Sequence, residues 1–230
     1  MEKKIFIGIT VSLCFIAGVI GLIKRQTYTN ITDPEFIEEN FMNDLHVFPL
    51  NLSLFPDEMM DDMKGFLLES PYILRVKASG STEFLFRVFQ QPIEVLEVYR
   101  GSDIMIGDEL TVFSSGWSLF IWDMLTMNAG FTNFMQEGDE YLIFLNGPVD
   151  NLENNPNVFE LIPTIISPMF NFETREHYIP SGDLIPMYTD GIGVAWPFSD
   201  VSQNEFFVAN QETLDSLIEL KESLLELFPR

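Results

Sequence analysis

The chain has 230 residues, 47% of them hydrophobic with 22 Phe, and a formal net charge of −23 from 35 acidic against 12 basic residues. That length supports one domain with appendages, and so apolar a composition excludes a disordered chain. After Arg25 only 8 basic residues accompany 34 acidic ones, a field that repels phosphate and excludes nucleic acid and anionic lipid as partners of that part.

The first predicted element is Ile5 to Ile23, 19 residues without a charge, flanked by Lys3-Lys4 and Lys24-Arg25. As a helix it spans about 28 Å, close to the roughly 30 Å of a bilayer's hydrocarbon core. Residues 1–25 therefore read as an uncleaved transmembrane signal anchor held in the membrane through 5–23. A cleaved signal peptide is the alternative, because Val19 and Gly21 are small enough to precede a cleavage site. The flanking charges lean toward a cytoplasmic N-terminus. The expected location is thus a cell membrane, crossed once, with the folded domain extracytoplasmic. Cys14, the only cysteine, falls inside the apolar run, so the exterior part has no disulfide framework and no thiolate metal ligand. An acidic, cysteine-free, anchored exterior domain reads as bacterial.

Residues 26–56, acidic and punctuated by Pro34, Pro49 and Pro56, read as a spacer, leaving 57–230 as the folded domain. Asp57 to Glu69 places Met59, Met60, Met63, Phe66 and Leu67 at helical spacing. From Tyr72 the period falls to two: Tyr72 to Ala78, Phe84 to Phe89, Ile93 to Tyr99 and Leu110 to Phe113 are predicted strands, with Gln90-Gln91-Pro92 separating the second from the third. The alternation slips between Val95 and Leu96, which predicts either a bulge or burial on both faces. Gly116 to Phe134 is crowded with aromatics and carries one charge, Asp123; it reads as a helix plugging the barrel or an exposed lid. Tyr141 to Leu145 is a continuous apolar run, expected as a strand buried on both faces, and Val158 to Ile162 as another. Pro163 to Pro197 holds five of the 13 prolines, so irregular backbone is expected there, with short strands around Tyr178-Ile179 and Val194 to Trp196. Asn210 to Phe228 has the leucine spacing of an amphipathic helix.

These elements predict a mainly β fold: a small OB-like antiparallel barrel with a C-terminal amphipathic helix (210–228), preceded by one N-terminal transmembrane helix. Within Pro92 to Gly147, the strand Ile93 to Gly101, the Gly107-Asp108-Glu109 turn into Leu110-Thr111-Val112, and Glu137 to Leu145 resemble bacterial extracytoplasmic proteins of the netrin-module and metalloproteinase-inhibitor-like superfamily. The resemblance implies a fold far more than a function. Its inhibitors would use a mature N-terminal cysteine on a protease zinc, which this chain lacks.

Little in the sequence points to catalysis. His46 and His177 are the only histidines, and neither has a partner at metal-ligand spacing. Ser118 lacks the second glycine of a nucleophile elbow. Asp150, Glu153, Asn155 and Asn157 are weak calcium candidates, since calcium prefers oxygen ligands, but their spacing departs from the twelve-residue loop. No other cofactor is expected. Trp117, Phe120, Trp122, Phe131 and Phe134 are the partner-binding candidates, with burial in the core as the competing role. The expected function is a non-enzymatic, membrane-anchored extracytoplasmic domain that binds a protein or cell-envelope component; the alternative is a carboxylate- or metal-dependent cell-envelope hydrolase.

Overall fold

A computed structural model describes residues 45–56, 58–85, 88–121, 125–149, 157–180, 185–186 and 194–230. The expected anchor at 5–23 lies outside them. Among the described residues no helix is long and apolar enough to cross a membrane.

Five strands close a barrel: β2 (Tyr72–Ala78), β4 (Val88–Arg100), β5 (Glu109–Phe113), β9 (Val158–Leu161) and β8 (Glu140–Pro148), which returns to β2. Four of its five pairings are antiparallel. The fifth, β5 with β9, is parallel, so the expected all-antiparallel barrel is corrected at that pairing. β3 (Glu83–Leu85) and β10 (Met169–Asn171) extend the same sheet along β4 and β8. A second sheet runs in the order β11 (Ile185–Pro186), β12 (Val194–Pro197), β1 (His46–Val47), β7 (Leu125–Ala129), β6 (Trp117–Ile121). Among the described residues three α-helices accompany the sheets: α1 (Met59–Leu68), α2 (Phe198–Val201) and α3 (Gln211–Leu227).

The continuous apolar run of β8 is explained by two cores rather than one. Tyr141, Ile143 and Leu145 point into the barrel interior with Leu74, Val76, Ile93 and Val95. Leu142 and Phe144 point the other way, into a second core made with Ile73, Phe170, Phe206 and the apolar stripe of α3. Successive side chains of a strand face opposite sides, so every position of such a strand is apolar.

The slip in β4 is a bulge. Val76 pairs with Val95 while Arg75 pairs with Glu97, so Leu96 is left over. The extra residue moves the inward phase from Ile93 and Val95 to Val98, which packs on the barrel core. β4 then ends where Gly101 takes φ 123°, and a Cβ there would lie 2.6 Å from Tyr72 Cδ1. Only glycine accepts both demands.

Several expectations are corrected. The described residues of Gly116 to Phe134 form no helix: β6 and β7 form a hairpin that sets Trp117 opposite Ala129 and Leu119 opposite Met127. Gln90-Gln91-Pro92 does not separate two strands, because β4 runs through it. The fully buried Gln91 accepts from Met135 N (3.0 Å) and donates to Met135 O (2.6 Å) and Gly80 O (3.2 Å), so its amide is satisfied inside the core. Tyr178-Ile179 is not a strand; the Tyr178 backbone is held by both ends of the Asn204 amide. The end of the predicted spacer is also part of the fold. β1 pairs with both β7 and β12, and Leu50 is buried.

α3 begins at an Asn210 cap whose side chain accepts from Thr213 N at 2.8 Å. Leu214, Leu217, Leu220 and Leu224 then fill the second core. Its far end is fastened by Phe228, whose ring lies tilted at 5.2 Å from Tyr99 and edge-on at 6.2 Å from Phe144, and by the Tyr99 hydroxyl donating to Pro229 O. Burial, with the Glu97 charge adding to it, pushes the Tyr99 phenol up to about 12. With Leu217 fully buried, Leu217→Ala is expected to cost about 2–5 kcal/mol, read from chemical denaturation of the full-length chain.

Candidate functional site

The sequence-predicted aromatic set is divided by the fold. Trp117 is fully buried; its indole donates to Ser167 Oγ at 2.8 Å, and its ring meets Phe134 edge-on at 5.1 Å. Phe134 is half-buried against Phe89, and Phe131 packs on the second core. Burial withdraws Trp117 from the partner-binding set, since its ring is already spent on the interior. Phe120 lies in β6 opposite Thr126, and Trp122 is outside the described residues. Of the calcium candidates, Asn157 is exposed, with its amide 3.4 Å from Glu109 O; Asp150, Glu153 and Asn155 are outside the described residues. Among the described residues no group of three or more His, Cys, Asp or Glu side chains could hold a metal ion.

His177 belongs to a buried polar cluster beneath α3. Lys221 Nζ lies 2.6 Å from Glu205 Oε2 and also donates to Glu173 O at 3.0 Å. Glu205 Oε1 accepts from Asn171 N at 2.8 Å. Both side chains of the pair are under 10% exposed, and such a pair survives burial only when its remaining hydrogen-bonding capacity is met. Burial pushes the Glu205 carboxyl above its ordinary range, against the pull of Lys221. The backbone N–H groups of Glu205 and Phe206 both donate to His177 Nε2 at 3.2 Å. Nδ1 therefore carries the proton, which it gives to Arg175 O at 3.1 Å. The ring is stacked on Phe206 at 5.7 Å. With both nitrogens held by backbone, His177 has no lone pair to offer a substrate, so it serves structure rather than proton transfer. Asp139 joins the cluster to the barrel by pairing with Arg175 and accepting from Asn171 Nδ2 at 3.0 Å.

A different place is built outward. The connection between β4 and β5, residues 101–108, buries Ile104 in the barrel core yet leaves Met105 and Ile106 71% and 70% exposed. Its crest is held firmly. Met105 N donates to Asp108 Oδ2 at 2.8 Å, Asp108 N returns a bond to Met105 O at 3.1 Å, and Gly107, at φ 90°, donates to Val95 O at 2.8 Å. Val95 N closes the loop onto Asp108 O at 2.9 Å. Beside the crest lies a cleft of about 270 Å³. Leu110, Pro148 and Phe159 form its apolar lining, while Asp103, Asp108 and Glu109 bring carboxylates. Asp103 Oδ2 accepts from the Tyr72 hydroxyl at 3.0 Å, which fixes that carboxylate in place.

This loop was missed in the sequence, where Ser102-Asp103 and Gly107-Asp108 mark only a connection. A signal was present all the same. Turn crests favour Gly, Asn, Asp and Ser, and Ile104-Met105-Ile106 puts three large apolar residues there.

No protein-family model matches the chain, and no curated protein matches it.

Burial lowers the His177 pKa, with the Lys221 and Arg175 charges acting in the same direction. The unfolded chain then binds the proton first, near pH 6.5, so this contribution to stability is complete above that pH and is lost as pH falls through the lower folded value. Glu205 acts with the opposite sign, because its raised pKa lets the folded state take up a proton before the unfolded one. A difference between wild type and His177→Gln isolates the histidine. Thermal melts of the two should converge as the pH is lowered from 7 to 5, the wild type losing more.

Proposed function

We propose that the chain is a non-enzymatic binding domain, anchored in a cell membrane through residues 5–23, whose extracytoplasmic barrel docks a protein or cell-envelope component on the β4–β5 loop. The observation that carries this reading is the rigid presentation of Met105 and Ile106, 71% and 70% exposed, on a crest closed by four backbone and side-chain hydrogen bonds. An apolar pair held in one geometry gives a partner contact area without the entropy of ordering a loop. Single exposed apolar residues are common on protein surfaces, but an adjacent pair beside a cleft is the arrangement of an interface anchor.

The strand order β2-β4-β5-β9-β8, closed on β2 and with one parallel pairing between β5 and β9, supports describing the barrel as OB-like. Within that architecture the resemblance to netrin-module and metalloproteinase-inhibitor-like domains is a proposal about fold. The hydrolase reading gains no comparable observation, since His177 is turned inward and held by backbone on both ring nitrogens.

A photo-crosslinking residue placed at Ile106 of the full-length chain in cells tests the proposal. A discrete adduct is expected there, and none from the same residue at Glu222, which is exposed on α3. Failure to form an adduct particular to position 106 refutes docking at this loop. Ile106→Ser should abolish capture of the same partner while changing stability by no more than about 0.5 kcal/mol, which a thermal melt checks.

A further inference from the structure

The cleft beside the crest has a chemistry that selects what can enter it. At about 270 Å³ it falls below the roughly 300–1,000 Å³ of small-molecule pockets and has room for one long side chain. Phe159 and Leu110 are each 6% exposed and supply an apolar wall, with Pro148 beside them. Asp103, Asp108 and Glu109 form no ion pair among the described residues, and neither Lys nor Arg lines the cleft.

The charge at its edge is not balanced from within the sheet. Glu109 stands directly across from Glu94, a like-charge placement that costs stability in a sheet. Lys77 pairs in register with Glu94 from the other side, which leaves Glu109 at the cleft with no cation among the described residues lining it. Each of the two aspartates has one oxygen fixed, Asp103 by Tyr72 and Asp108 by Met105 N. Carboxylates held in this way meet a cation with little further ordering.

Resting on the reading of the β4–β5 loop as a docking surface, we infer that its occupant is a polypeptide presenting Arg or Lys next to an apolar residue. The apolar residue covers Met105 and Ile106. The stem of the basic side chain lies along Phe159 and Pro148, and its head reaches Asp103, Asp108 and Glu109. Arginine and lysine suit such a place because each buries an apolar stem while keeping its charge at a polar rim. The same carboxylates repel anionic glycans, nucleic acid and acidic lipid headgroups.

The test uses the full-length chain with the photo-crosslinker at Ile106, and adducts are identified by mass spectrometry. The expected adduct is a peptide with Arg or Lys within a few residues of the attachment point. Asp103→Asn combined with Glu109→Gln should reduce its yield about fivefold. Glu137→Gln combined with Glu176→Gln, which removes the same charge from exposed positions outside the cleft, should leave the yield unchanged. An adduct whose yield ignores the Asp103 and Glu109 changes, or whose partner segment has no basic residue, overturns this inference while leaving docking at the loop intact. Equal losses from both double variants assign the effect to the overall acidic field and overturn it as well. An adduct to a lipid chain replaces the polypeptide with a membrane. Absence of any adduct particular to position 106 removes both the partner class and the docking surface.

Discussion

The fold depends on β8 being buried on both faces. Its odd-numbered side chains Tyr141, Ile143 and Leu145 close the barrel interior, and the even-numbered Leu142 and Phe144 form the floor under α3. A barrel of only five strands has a small interior, and a second core laid on its outer surface adds the apolar burial that one core of this size lacks. The two cores are therefore coupled through one strand, and a change that tilts β8 is felt in both. The buried Glu205–Lys221 pair sits at the edge of the second core and ties α3 to the segment after β10. Its worth lies in fixing which way that segment runs, since a buried pair adds little net stability over apolar residues of the same volume.

Where local pattern and tertiary contacts agree, the elements were legible before the structure. Tyr72 to Ala78 alternates and is β2 residue for residue; the slip at Leu96 marks the β4 bulge as one of two readings; and α3 follows from the spacing of its leucines. The β6–β7 hairpin is hidden in the sequence because Phe120 interrupts the polar-apolar alternation along β6, and because the strand that pairs with β7, β1, lies far away in sequence. Gln91 and His46 show the same limit. A polar pair at Gln90-Gln91 looks like a break in a strand until Met135 arrives to satisfy the buried amide, and a two-residue strand at His46–Val47 has no periodicity to detect.

The candidate site was less legible than the fold, for a physical reason. Apolar residues announce burial in a sequence, so an apolar residue held in solvent reads as core until the structure places it. Trp117 and Ile106 exchange roles in this way. The aromatic insert, the most conspicuous apolar stretch after the first, sends Trp117 inside, while the β4–β5 loop buries Ile104 and turns the next two residues outward. What distinguishes the loop is its hydrogen bonding, which comes from Asp108 and Gly107 and makes the exposure a fixed feature of the surface.

The position of β1 has a kinetic consequence. His46 and Val47 are held between Thr126-Met127 of β7 and Trp196-Pro197 of β12, so the central strand of the second sheet is contributed by its earliest residues and enclosed by some of its latest. Such distant pairings carry a large loop-closure cost before they return any contact energy, which places this domain among slow folders. The barrel strands β2, β4 and β5 are contiguous in sequence and can assemble first; β1 can pair with β7 as soon as the β6–β7 hairpin forms, but its other edge stays open until β12 has been synthesised. During that interval the chain presents an unpaired apolar strand, the hazard that in-cell folding factors suppress. An N-terminal anchor would hold β1 at the membrane surface while the rest of the chain emerges, and so would confine the search for its two neighbours to a layer rather than a volume.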